Sequence, residues 1–272
     1  MNNNDLQSNP SRGFTLVELL VVVTFVIVLT GMMLPTLAAP KTRSVAAGCL
    51  SNLRQLQNAW AMYLDDNNDV MLPNAPAGSV SSQVWCPSGN EQWGGSPPNI
   101  DVNTNVALYT NTLIWPYINS NITILKCPAD VLAASDGPRL RSYSMNGQMG
   151  AFYYTGEGIN YNPGYLSYTY GSDLTCPSPA NAFIFLDEHP DSIQDGYLEI
   201  DSAPNGGFPD IPASYIEGGC GFSFADGHGE IHQWQTANLM IPAVFGATIH
   251  YAVGGASNPD WLWFTTHATC PQ

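Results

Sequence analysis

The feature that most constrains this chain is a long uncharged stretch near its N-terminus. No residue from Leu19 to Pro40 is charged, and most of its first half is Leu, Val, Ile or Phe. As an α-helix the stretch would be about 33 Å long, which matches the hydrocarbon core of a bilayer. The sequence therefore predicts a membrane-spanning helix, because secretory signals have shorter apolar regions of about 7–15 residues.

The rest of the chain is also poor in charge, and what charge it has is acidic. Charged residues make up 11% of 272 residues, 22 acidic against 7 basic, which gives a net charge of −15. So few cations cannot form a phosphate-binding surface, which excludes nucleic acid as a partner. Hydrophobic residues still make up 44%, enough for a buried core, and the many Gly and Pro residues favour a loop-rich β domain.

One acidic residue, Glu18, lies at the start of the apolar run. A carboxylate costs roughly 2.5–3.5 kcal/mol at the centre of a bilayer, so Glu18 needs either a partner or a place at the interface. One interpretation is a side chain that reaches the interface and is favoured by the helix dipole. A second interpretation depends on the residues around Glu18.

Those residues form a short junction, GFTLVE, at positions 13–18. The junction, with its short polar leader and the apolar run that follows, resembles the cleavage and methylation motif of type IV prepilins and type II secretion pseudopilins. The resemblance implies that a prepilin peptidase cuts between Gly13 and Phe14 and that the new Phe14 amine is methylated. It also implies that Glu18 pairs with the Phe14 amine of a neighbouring subunit.

Later segments add to this resemblance. CPAD at 127–130, RSYSMN at 141–146 and FADGH at 224–228 are similar to a bacterial subgroup of prepilin-like proteins. That subgroup carries a His, nine residues and then Asp-Gly near its C-terminus. Asp226-Gly227 is present here, but Ile216 occupies the position of the His, which leaves no role for that His in this chain.

The helical pattern continues beyond the apolar run. Apolar residues recur at steps of three and four, which predicts one long helix from Phe14 to about Leu64 that buries one face of its second half. The acidic stretch at 65–69 and Pro73 end this helix. The repeating apolar positions are Ala46, Cys49, Leu50, Leu53, Leu56, Trp60, Tyr63 and Leu64.

The predicted fold class is α+β and pilin-like: a long N-terminal helix, half in the membrane and half amphipathic, packed on a loop-rich antiparallel β-sheet head. A short helix is expected near Thr110–Ile118. The predicted segments are a leader at 1–13, a transmembrane or filament-core helix at 14–40, an amphipathic stalk at 41–66 and a β-rich head at 67–272. Strands are expected near Thr123–Cys127, Arg141–Met145, Tyr165–Tyr170, Ala182–Leu186, Tyr197–Ile200, Gly221–Ala225 and Glu230–Trp234.

The six cysteines lie far apart in the sequence and form no C-x-x-C pair, which argues against a zinc ribbon or a redox motif. In an oxidising compartment such cysteines can pair. We expect one or two disulfides, with Cys220–Cys270 the favoured pair and Cys49 a free thiol in the core. Spacing alone leaves the connectivity open.

Two clusters of polar residues are candidate metal sites. Asp187, Glu188 and Asp226 could bind Ca²⁺ through their carboxylates, and some pseudopilins hold calcium in this part of the domain. A zinc site at His228 and His232 is an alternative that lacks a third ligand. The favoured interpretation is structural, with Asp226-Gly227 forming a tight hairpin turn. No other cofactor is expected.

The predicted function is that of a structural subunit, not an enzyme, because the chain lacks a nucleophile elbow, a Walker loop and an H-E-x-x-H motif. The resemblance implies a pilin-like subunit of a type II secretion pseudopilus or type IV pilus-like filament. Its expected partners are prepilin peptidase, homologous pilin or pseudopilin subunits and inner-membrane lipid. The expected location is the bacterial inner membrane, with one membrane pass and a periplasmic or extracellular head.

The sequence also permits a second kind of function. The chain could be an exported, membrane-anchored carbohydrate-binding or carbohydrate-active protein that uses the prepilin-type segment for delivery. Its many Trp and Tyr residues would suit stacking on sugar rings. An exposed aromatic platform beside paired carboxylates would favour this alternative.

Overall fold

The computed structural model describes residues 14–76, 84–87, 93, 102–150, 162–247 and 251–272, without the side chains of 31–42. The leader at 1–13 lies outside the described residues. The chain divides into two units, Met1–Arg43 and Ser44–Gln272. Helix α1, Leu16–Asp66, has 51 residues and contributes to both units.

In the first unit, the described side chains of α1 correct the membrane prediction. Among the residues that the structure describes, no helix has the length and apolarity to cross a membrane. The predictions of a membrane-spanning half of the helix and of a single-pass inner-membrane protein are therefore wrong.

The second unit is built around a five-stranded sheet in the order β5-β3-β4-β7-β8, and two short antiparallel pairs, β1-β2 and β6-β9, lie outside it. Helix α2 is Pro259–Ala268. The strands are β1 (Ala133–Ala134), β2 (Gly137–Pro138), β3 (Tyr143–Asn146), β4 (Phe183–Asp187), β5 (Tyr197–Leu198), β6 (Gly207–Phe208), β7 (Gly219–Phe224), β8 (Gly229–Gln233) and β9 (Ala252–Val253).

The sheet is mixed, whereas the sequence-based prediction was an antiparallel sheet. Strands β3, β4, β7 and β8 pair antiparallel, but β5 pairs parallel with β3. The reason lies in residues 188–196, which form turns around buried polar side chains instead of a tight hairpin. These turns carry the chain past β3, so that β5 adds to the far edge of β3.

Apolar side chains fill both faces of this sheet. On one face, α1 packs through residues such as Leu53, Leu56 and Trp60 against Tyr143 and Phe185 of β3 and β4. Gly221 of β7 permits this close packing, because a Cβ there would lie 2.8 Å from Cδ1 of Leu53. On the other face, α2 packs through Trp261 and Phe264 against Phe183, Phe222 and Phe208.

Several predicted elements differ from the observed ones. The strand expected at Thr123–Cys127 is a 3-10 helix at Ile122–Leu125, because the Asn121 side chain accepts a hydrogen bond from the Thr123 amide and caps a turn. The helix expected at Thr110–Ile118 is a series of turns. The strand expected at Tyr165–Tyr170 forms only isolated bridges.

Helix α2 was not predicted, although its start carries a recognisable signal. The Asn258 side chain accepts hydrogen bonds from the amides of Asp260 and Trp261, and Pro259 occupies the first helical position. An N-cap Asn followed by Pro is typical of a helix N-terminus. The Asn-Pro-Asp sequence could therefore have identified this helix.

Two disulfides join Cys49 to Cys127 and Cys176 to Cys270. Cys220 is a buried free thiol that donates a hydrogen bond to the carbonyl oxygen of Asp187 at 3.1 Å. The predicted Cys220–Cys270 pair and the free Cys49 are both wrong. Cys220 lies inside β7, an interior strand of the sheet, whereas Cys49 lies on the face of α1 that packs against the head.

The disulfide connectivity can be tested by peptide mapping of the unreduced protein. We expect linked peptides for Cys49–Cys127 and for Cys176–Cys270, whereas Cys86 and Cys220 should react with an alkylating reagent only after unfolding, because both are buried. A peptide linking Cys220 to Cys270 would contradict the structure.

Candidate functional site

The first candidate site is the start of α1, where Thr15 and Glu18 cap the helix reciprocally. The Glu18 carboxylate accepts hydrogen bonds from the Thr15 amide at 2.9 Å and from the Thr15 hydroxyl at 2.7 Å. In return the Glu18 amide donates to Oγ1 of Thr15 at 3.3 Å. This Thr-x-x-Glu pattern is a capping box, a motif that satisfies the free amides at a helix N-terminus.

These hydrogen bonds keep Glu18 ionised. The bonds from the amide and hydroxyl of Thr15 lower the pKa of the Glu18 carboxyl group. The helix N-terminus also favours a negative charge. Neither effect supplies a countercharge, and the described part of the chain contains no ion pair to Glu18. The role of Glu18 as a cap was not predicted from the sequence, although Thr15 three residues earlier carries the signal for it.

The helix that follows exposes its apolar side chains. Phe14 and Leu16 are 71% and 78% exposed, and the large apolar residues from Val17 to Leu29 are all exposed. Thr24 and Thr30, by contrast, donate their hydroxyl hydrogens to backbone carbonyls three and four residues earlier. Between residues 14 and 30, the helix therefore presents an apolar surface whose few polar groups are bonded within the helix.

The second candidate site is the acidic segment after β4, which is buried instead of exposed. The Glu188 carboxylate accepts hydrogen bonds from the hydroxyls of Ser144 and Ser192. Arg141 lies nearby and donates to the carbonyl oxygens of Tyr143 and Asp195 and to the hydroxyl of Ser144. The network thus joins β3 to the turns that follow β4.

Negative charge exceeds positive charge in this network. Burial raises the pKa of Glu188 to about 8, although the two serine hydrogen bonds and Arg141 oppose that shift. Burial also raises the pKa of Asp210 well above its ordinary value, and the nearby Glu188 and Asp195 raise it further. At neutral pH part of the network therefore holds protons.

The neighbouring residues of this segment fix a surface loop. Nε2 of His189 lies 2.9 Å from the Ile241 carbonyl oxygen, and the Asp191 carboxylate accepts a hydrogen bond from the Val244 amide at 3.0 Å. Both side chains are buried. This part of the acidic segment therefore acts as an anchor for the loop after β8.

Asp187 faces a different set of charged groups. Its carboxylate lies in the field of Lys126, Asp130 and Arg139, and burial raises its pKa well above the ordinary value. Arg139 pairs with Asp130 at 3.3 Å. Adjacent positions on an extended strand point to opposite faces, so Asp187 and Glu188 belong to separate networks.

Asp226 lies at the opposite end of the sheet from these two residues. The amide of Ala225 donates to the carbonyl oxygen of Ala182, just before β4, whereas Asp187 ends that strand. Five residues of strand span about 16 Å, and calcium–oxygen distances are about 2.3–2.6 Å. The structure therefore does not bring Asp226 together with Asp187 and Glu188.

The hairpin that contains Asp226 has the structural role favoured from the sequence. Gly227 has a φ of 96° and connects β7 to β8, which confirms the tight turn. The Asp226 carboxylate lies 2.6 Å from Nδ1 of His228 and accepts a hydrogen bond from the His228 amide at 3.1 Å. These bonds hold the turn in place.

The two histidines proposed as zinc ligands stack on different aromatic rings. His228 stacks on Phe224 with ring centroids 4.3 Å apart, and His232 stacks on Trp263 at 3.6 Å. Over the described ranges, no three His, Cys, Asp or Glu residues meet in an arrangement that could hold a metal ion.

Comparisons with known proteins do not assign this chain to a family. No protein-family model matches the chain, and neither a curated protein nor a solved structure shows significant similarity to it. The function of this chain is therefore inferred from its residues and their geometry.

The buried Glu188 predicts an unusual pH dependence of stability. Its pKa is raised from 4.5 to about 8 in the folded state, so the folded protein holds this proton more tightly than the unfolded chain does. The resulting stabilisation is fully present below pH 4.5 and is lost as the pH rises through about 8. We expect the free energy of unfolding of the full chain to fall by roughly 1–3 kcal/mol between pH 5 and pH 9.

The matching test compares two variants by urea unfolding at each pH. Glu188→Gln should reduce the pH dependence, because an amide keeps the side chain's size without a titrating proton. Glu230 is exposed, so Glu230→Gln is the control and should leave the pH dependence of stability unchanged. Equal pH profiles for Glu188→Gln and the unchanged protein would contradict the proposed protonation of Glu188.

Proposed function

We propose that this chain is a structural subunit of a filament of the pilin and pseudopilin type, processed by a prepilin peptidase and assembled through the first part of α1. One observation carries the proposal: the GFTLVE junction leads directly into a helix whose large apolar side chains are exposed in the single chain. Such a surface is typical of an interface, because water disfavours contiguous apolar patches of this size.

Packing between copies would cover this surface at a favourable free energy. Burying one Val, Leu, Ile or Phe side chain stabilises an assembly by about 1.5–3 kcal/mol. The hydroxyls of Thr24 and Thr30 already bond to the helix backbone, so their burial would leave no donor unsatisfied. Such a helix suits the core of a filament.

Glu18 is the one charged group in this surface, and processing would create its partner. Cleavage after Gly13 produces a free amine on Phe14, one residue before the capping Thr15. A positive amine from a neighbouring copy would neutralise the Glu18 carboxylate when the helices pack together. Without that charge, burial of an ionised carboxylate would oppose assembly by several kcal/mol.

The head has features that suit a structural role. Two disulfides connect α1 to the head and the C-terminus to residue 176, as is common in proteins that fold in oxidising compartments. None of the seven Trp residues is fully exposed. The carbohydrate-related alternative, which needs an exposed aromatic platform, gains no specific support from the described residues.

The processing step is tested by coexpression with a prepilin peptidase and mass spectrometry of the intact protein. We expect a mature chain that begins at Phe14 with a methylated amine. The catalytically inactive peptidase is the control and should leave residues 1–13 in place. A mature N-terminus at any other residue would contradict the proposal.

The assembly step is tested by two substitutions of Glu18 that separate its capping role from its charge. Gln at the third helical position also completes a capping box, so Glu18→Gln keeps the cap and removes the charge, whereas Glu18→Ala removes both. We expect both variants to be cleaved and neither to form filaments, as seen by electron microscopy of sheared cell fractions. Normal filaments from Glu18→Gln would show that the charge has no role in assembly.

A further inference from the structure

Charge is distributed unevenly along the chain. Between Leu19 and Leu64 there are three cations, Lys41, Arg43 and Arg54, and no Asp or Glu. All of the 22 acidic residues except Asp5 and Glu18 lie after Leu64. The stretch of α1 from Lys41 to Arg54 thus carries only positive charge, whereas the chain after Leu64 is strongly acidic.

Arg43 and Arg54 are the two cations of α1 whose side chains the structure describes. Arg43 and Arg54 are both exposed, and neither forms an ion pair or a hydrogen bond to another described residue. The side-chain stem of Arg54 lies near Gly229 of β8, which leaves the guanidinium group at the surface. These cations remain available to another molecule.

The head, residues 67–272, has no exposed Lys or Arg side chain. Its three basic residues are Lys126, Arg139 and Arg141. The side chains of Lys126 and Arg139 are only 21% and 2% exposed, and both contact Asp130. Arg141 is buried beside Glu188. The outer surface of the head is therefore anionic.

The end of α1 adds to this anionic surface. Asp65 and Asp66 are exposed in its last turn, which contains no basic residue. Carboxylates at a helix C-terminus face the negative end of the helix dipole and are destabilising there. A positive group from outside the subunit would relieve that repulsion.

We propose that the part of α1 around Arg54 is an interaction surface for the acidic head of a second copy of this chain. The proposal rests on the proposed filament and names a second contact within it. The two surfaces differ, so the contact is heterologous, and repeated heterologous contacts produce open helical assemblies. Complementary charge would also select the register of neighbouring subunits, because like-charged surfaces repel.

The first experiment measures filament yield from the full chain in cells that make filaments. Arg54→Glu should lower the yield about fivefold, because it places a negative charge against an acidic head. Gln55→Glu is the control, since it places a Glu at the next exposed position and keeps the Arg54 cation; its yield should stay near normal. Equal yields for the two variants would overturn the proposal.

The second experiment identifies the partner surface directly. Arg54→Lys keeps the charge and provides an amine that a carbodiimide links to a carboxylate in contact with it. In filaments mixed from isotopically light and heavy subunits, we expect crosslinks from position 54 to Asp or Glu residues of the head in a different copy. Crosslinks confined to one copy, or none, would overturn the proposal.

The two proposals can fail separately. If Arg54→Glu and Gln55→Glu behave alike while Glu18→Ala still blocks assembly, the basic surface has no role but the filament proposal stands. If the unchanged chain forms no filaments under prepilin-peptidase processing, both proposals are overturned.

Discussion

The structure depends on the different surfaces that α1 presents along its length. From Cys49 to Leu64 the helix buries an apolar face on the sheet, and the Cys49–Cys127 disulfide and the hydrogen bond between Gln57 and Ser223 fix that contact. From Phe14 to Leu29 it presents apolar side chains that the described chain does not cover. The first contact stabilises the head. The second surface is where the proposed function places other copies of the chain.

The acidic composition of the head has a structural counterpart. Several carboxylates, among them Asp187, Glu188 and Asp210, are buried, and burial raises their pKa values. Hydrogen bonds from serine hydroxyls and the neighbouring Arg141 reduce the cost of burying Glu188. The few cations of the head are used in the same interior. As a result the surface keeps its negative charge, which is the basis of the proposed contact with α1.

The sequence predicted the parts of the fold that depend on local patterns. Leu53, Leu56 and Trp60 recur with helical spacing, and all three are buried against the sheet. Asp226-Gly227 predicted a turn because glycine tolerates a positive φ, and the turn connects β7 to β8. Such features follow from a few neighbouring residues and need no knowledge of distant contacts.

Features that depend on distant contacts were mispredicted or missed. The parallel pairing of β5 with β3 depends on how residues 188–196 fold around buried side chains, and the disulfide of Cys49 depends on where α1 meets the head. For the candidate sites, the sequence identified Glu18 and the segment at 187–191, but not their partners Thr15, Ser144 and Arg141. The predicted calcium site also grouped Asp226 with Asp187, although the strand register places these two residues at opposite ends of the sheet.

The most direct test of the central claim is electron cryomicroscopy of filaments formed by the processed chain. The account predicts that α1 residues from Phe14 onward pack against those of other copies in the filament core, with the Glu18 carboxylate within about 4 Å of a neighbour's Phe14 amine. A filament in which this part of α1 lies outside the core, or in which Glu18 has no positive neighbour, would contradict the account.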